Sequence, residues 1–138
     1  MSIATYLQQI SYNQSALCSN TEGLNHDESL RQPQPAGNCL NWVVGHIVAS
    51  RNRWLEALGH QLLWGEAELA LYGRGPLTDP SKALPWQRLL ADFEELQGPL
   101  AAGMQALSEE DLAKPAAYSP GNRSDETVRC PSPKPCFA

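Results

Sequence analysis

Positive charge is in short supply: 10 Lys plus Arg stand against 15 Asp plus Glu, a formal net charge of -5 over 138 residues. Nucleic-acid backbones draw proteins through clustered cations, so neither DNA nor RNA is an expected partner. Long apolar runs are missing as well. Each hydrophobic stretch is interrupted far short of the roughly 18 residues that cross a bilayer, which excludes a membrane partner. Met1 to Ser15 has neither the basic start nor the apolar centre of a secretory leader, and the expected location is the cytoplasm. The four cysteines, Cys18, Cys39, Cys130 and Cys136, show no paired spacing of the zinc-ribbon kind. A core of this size needs no disulfide staples, so Cys18 and Cys39 read as reduced core residues. No convincing strand can be drawn either.

What the chain does have is helical periodicity. With 42% hydrophobic and 18% charged residues it suits a single globular domain. Ile3, Tyr6, Leu7, Ile10 and Leu17 share one stripe of a helix from about Ser2 to Ser19. Turn formers fill Thr21 to Gly37, leaving room for one helical turn at Asp27 to Leu30. Asn38 offers a cap ahead of Leu40, Val43, Val44, Ile47, Trp54 and Leu58, and Gly59 suits the left-handed closing position. His60 to Leu84 reads as an ordered loop with a short helical patch at Glu66 to Leu71. Pro85 opens a third long helix on Trp86, Leu89, Leu90, Phe93, Leu96, Leu100, Met104 and Leu107. Pro99 predicts a kink there or a split into two helices. Ser108 followed by Asp111 resembles a capping box for one more turn. Beyond it, 24 residues hold five of the eleven prolines and no core-forming helix. The organisation is therefore a helical domain over 1–114 and a proline-rich, disordered tail over 115–138, and one-sided apolar helices bury themselves best as a bundle.

The run Asn38-Cys39-Leu40-Asn41-Trp42-Val43-Val44-Gly45-His46-Ile47-Val48-Ala49-Ser50-Arg51-Asn52-Arg53-Trp54-Leu55, preceded by Arg31-Gln32-Pro33, resembles the second helix of the DinB-like four-helix-bundle family. Leu107-Ser108-Glu109-Glu110-Asp111-Leu112 matches that family's habit of following its third helix with a short acidic turn. The resemblance implies an all-α, up-down bundle, often dimeric, holding a divalent metal such as Zn or Ni through three histidines. It implies a metal-dependent hydrolase or a thiol-dependent transferase acting on a small molecule. The first ligand position falls on His46; the other two belong to a fourth helix that this chain lacks, through truncation or a shifted reading frame over Val128 to Ala138. His60 does not replace them, since fourteen helical residues from His46 span about 21 Å at 1.5 Å per residue. His26 sits in the connector without a partner. With the metal site incomplete, a divalent ion is not expected to bind tightly, and the competing reading is a non-catalytic bundle that works as a dimerisation or binding module, as a homodimer about a two-fold axis.

Other candidates have plain structural readings. Arg51 near the apolar stripe reads as a snorkelling side chain with its guanidinium at the bundle end, against an anion contact in a pocket. Trp42, Trp54 and Trp86 read as core filler, with Trp64 apart in the long loop. Asp92 and Glu95 share a helix face of ordinary surface type. Cys130 and Cys136 are incidental, and Gly73-Arg74-Gly75 has no preceding strand to make a phosphate loop.

Overall fold

Ser2 starts the first helix: its hydroxyl accepts the Thr5 N–H at 3.2 Å, and α1 runs over Ile3–Thr21. Gly23, at φ 77°, turns the chain into the single-turn α2, His26–Ser29. There Asn25 and Glu28 cap each other's backbone N–H groups. The next helix, α3 at Leu40–Ala57, begins at Cys39 without a side-chain cap, so Asn38 does not serve as predicted. Its far end follows the expectation at Gly59. That residue takes φ 77°, its N–H reaches the Glu56 carbonyl and the His60 N–H the Leu55 carbonyl, the paired bonds of a glycine-terminated helix.

The computed structural model describes residues 2–114, and among them there is no strand. The long loop after α3 carries α4, Glu66–Gly73, and one 3₁₀ turn at Pro80–Lys82. The predicted third long helix is two: α5, Trp86–Glu95, and α6, Gln97–Gln105, meeting at Leu96. Pro99 sits in the first turn of α6, where its missing N–H leaves the Glu95 carbonyl without its helical donor. The chain divides into two compact units, Met1–Ala106 with α1 to α6 and Leu107–Ala138. In the second, α7 at Glu109–Ala113 opens on the reciprocal Ser108–Asp111 capping box foreseen in the sequence. The expected tail over 115–138, with its cysteines and any shifted frame, lies outside the described residues.

The core of the first unit joins α3, α4, α5 and α6 through Val44, Val48, Leu55, Tyr72, Trp86, Leu89, Phe93 and Leu100. Cys39 is buried and free, whereas Cys18, also free, is half-buried. Helix α1 packs against α6 and buries only Ile10 and Thr21. The predicted α3 stripe is split. Val44 faces the core, but Val43, Ile47, Trp54 and Leu58 line a groove against α1, because α3 is apolar round more than half its circumference. No helix among the described residues is long and apolar enough to cross a membrane.

Candidate functional site

Two buried asparagines on α3 organise its surroundings. Asn52 bonds its amide nitrogen to the Val48 carbonyl at 2.9 Å, leaving its oxygen to accept the Leu63 and Trp64 N–H groups at 2.8 and 2.9 Å. Asn41 accepts the Tyr72 hydroxyl at 2.8 Å and donates to the Leu84 carbonyl at 3.1 Å, while the Leu84 N–H returns to Tyr72 Oη at 2.8 Å. Burial raises the Tyr72 pKa and keeps the phenol protonated as a donor. These bonds add to the buried Trp64, Leu69, Tyr72 and Leu77 in ordering the long segment after α3. Gly45 is the steric condition: a Cβ there would collide with the edge of the Tyr72 ring at Cδ1 and Cε1.

His46 stands one residue on, half-buried, its ring stacked on Trp42 with centroids 4.7 Å apart and planes 9° from parallel. Its Nδ1 lies 2.8 Å from the Tyr72 carbonyl. A carbonyl only accepts, so Nδ1 carries a proton, and in the neutral ring the lone pair is then on Nε2. Tyr72 is in the last turn of α4, where carbonyls lack helical donors, and His46 supplies one. The same arrangement, with one imidazole nitrogen tied to a backbone carbonyl, is how proteins orient a metal-ligating histidine. The donor chemistry therefore fits one ligand position. It does not fit a complete site: among the described residues no three His, Cys, Asp or Glu side chains form a metal-holding group.

The other histidines are placed elsewhere. His26 is not loose in a connector, because its Nδ1 accepts the Trp86 N–H at 3.2 Å and joins α2 to the start of α5. His60 is exposed and sits beside Gly103 of α6. Trp64, expected to stand apart in the loop, is buried and donates its indole N–H to Asp92 at 2.6 Å. Asp92 also faces Arg88 at 3.5 Å, which makes it a structural acceptor. Trp86 fills the core as expected, but Trp54 is 49% exposed.

Arg51 departs furthest from expectation. Instead of snorkelling, it is buried at 4% exposure, its guanidinium 3.8 Å above the Phe93 ring. Nη1 donates to Gln14 Oε1 at 2.9 Å and to the Phe93 carbonyl at 3.1 Å, bridging α3 to α1 and α5. Desolvation pushes its pKa down to about 10, which leaves it cationic at neutral pH. It forms no ion pair among the described residues, where the pairs are Arg53 with Glu56, Arg88 with Glu68 and Asp92, and Lys114 with Asp111. Arg51 lines the groove between α1 and α3, a space of about 940 Å³ walled by apolar side chains such as Ile10, Leu17, Val43 and Ile47.

Sequence reasoning singled out His46 and Arg51 but missed Asn41, Asn52 and Tyr72. The available signal was two asparagines eleven residues apart, three helical turns, inside an otherwise apolar helix. No curated protein and no solved structure matches the chain at significance. The sequence profile of the DinB superfamily matches residues 9–129, most of the chain. On that match the chain belongs to the DinB superfamily.

Proposed function

We propose that this chain is a DinB-like domain of the metal-dependent enzyme class, hydrolase or thiol-dependent transferase, with His46 as its one recognisable ligand position and the remainder of the ligand set incomplete. The supporting observation is the His46 ring itself, whose Nδ1 is committed to the Tyr72 carbonyl and whose Nε2 has no partner among the described residues. A catalytic zinc site takes three protein ligands and keeps one position open. One imidazole leaves most of the coordination to exchanging water, so no catalytic step is routed through a metal here. The test is elemental analysis of the full chain after dialysis against Zn or Ni, with His46→Ala alongside. Far less than one metal per chain in both proteins is the expected result. Near-stoichiometric metal that disappears in the variant would overturn the incomplete-site reading.

A second reading, a non-catalytic binding module, is favoured by the groove. Tyr6, Val43 and Trp54 stand exposed along it, and apolar surface of this kind marks a place where something binds. A homodimer is one form of that reading, and sedimentation equilibrium across a concentration series tests it directly.

A further inference from the structure

We propose that the groove between α1 and α3 binds a small amphipathic carboxylic acid, with the carboxylate on Arg51 and the apolar tail along the α3 wall. The proposal rests on the binding-module reading and is independent of any metal at His46.

The charge comes first. A guanidinium taken out of water is costly unless a counter-charge or full hydrogen bonding compensates it. Arg51 has neither: Nη1 is satisfied by two neutral acceptors, and Nε and Nη2 have no acceptor among the described residues. Neither nitrogen is among the enclosed, unpartnered side-chain atoms of the described residues, which are Trp42 Nε1, Trp86 Nε1 and Gln97 Oε1. The opening beside this side chain is the groove that Arg51 lines. Nε and Nη2 form the side edge of the guanidinium fork, which matches the two oxygens of a carboxylate.

The walls then select the rest of the ligand. A free inorganic anion would leave Val43, Ile47 and Trp54 uncovered, whereas an apolar tail covers them. A volume near 940 Å³ is in the range of small-molecule sites, roughly 300 to 1,000 Å³. Arg51 is eleven residues from Leu40 and seven from Leu58, so apolar wall extends about 16 Å to one side of the charge and about 10 Å to the other. A second copy of the chain fits less well. Of the large apolar side chains exposed among the described residues, Tyr6, Val43 and Trp54 belong to the groove, leaving Tyr12 and Leu63 to build a filling ridge.

Calorimetric titration of the full chain with octanoate, 1-octanol, acetate and octyltrimethylammonium tests the proposal. Octanoate is expected to bind one per chain and about tenfold or more tighter than octanol, the worth of one charge-assisted pair, with the other two below detection. Arg51→Met should abolish the preference for octanoate over octanol, and Arg51→Lys should keep part of it. Val43→Trp, at a half-exposed wall position that the core does not need, should weaken both ligands. Equal affinity for acid and alcohol, a preference that survives Arg51→Met, or indifference to Val43→Trp would each overturn the proposal. So would absent octanoate binding in a chain that sediments as a dimer and becomes monomeric on Val43→Glu, a result that would leave the binding-module reading standing.

Discussion

Asn52 joins α3 to the chain that follows it through backbone groups alone. Its oxygen is the acceptor for two consecutive backbone N–H groups, Leu63 and Trp64, at the point where the chain re-enters the core after α3. An apolar side chain of similar size would fill the space and orphan both donors. Each buried unsatisfied group costs about 1 to 3 kcal/mol. Asn52→Leu is therefore expected to destabilise the domain by roughly 2 to 4 kcal/mol, read as a fall in the urea midpoint with unchanged slope. A loss below about 0.5 kcal/mol, the usual scale of a surface substitution, would mean that the two donors find other acceptors. At Asn41 the same logic runs through a side chain, since its oxygen holds the Tyr72 hydroxyl that in turn receives the Leu84 N–H.

Among the elements, the join between α5 and α6 is where local chemistry and packing disagree. Leu89, Phe93, Leu96 and Leu100 are buried along both helices, so packing asks for one continuous rod. Gly98 and Pro99 interrupt it. Gly98 has ordinary helical backbone, and beyond its chain neighbours a Cβ added there meets nothing within 4 Å. Its neighbour Pro99 decides the outcome, because the proline Cδ crowds a Cβ on the preceding residue and disfavours the helical conformation there. The gain of about 0.5 to 1 kcal/mol that restricting the unfolded chain gives at an unstrained glycine is therefore offset, and Gly98→Ala is expected to leave the melting temperature unchanged or lower. A rise of several degrees would show that the join tolerates a side chain before Pro99.

Most signals written within four residues of one another were legible in the sequence, the Asn38 cap being the exception. The Gly59 closure, the Ser108 box and the break near Pro99 depend on neighbours along the chain and are where they were expected, and the α2 turn lies one residue ahead of its expected start. The neighbour that covers a given apolar side chain was not legible. Periodicity marked Val43, Ile47 and Trp54 as apolar without revealing that α1 stands too far off to cover them. Arg51 was misread for the same reason, because only the packed helices show that its head has Phe93 and Gln14 around it rather than solvent. His46 was reached through the family resemblance; no spacing in the chain announces that α4 ends against it.

Taken as a whole, the Met1–Ala106 unit is unevenly held. Helix α3 is gripped by α4, α5 and α6 and by its two asparagines, whereas α1 buries two residues and has the groove along one side. Opening free energies follow burial, so α1 is expected to open well below the global unfolding free energy. Native-state hydrogen exchange should show α1 amides escaping in a sub-global step while the Val44 to Leu55 amides of α3 exchange with complete unfolding. Equal protection of both helices would mean that the groove is covered in solution.

Trp54 gives the molecule an optical consequence. Trp64 and Trp86 are enclosed and Trp42 is half covered by His46, so a water-soluble collisional quencher reaches chiefly the indole of Trp54 at the groove's rim. The quenchable fraction of the intrinsic emission is thus a gauge of whether that rim is bare, built into the chain and readable without any label.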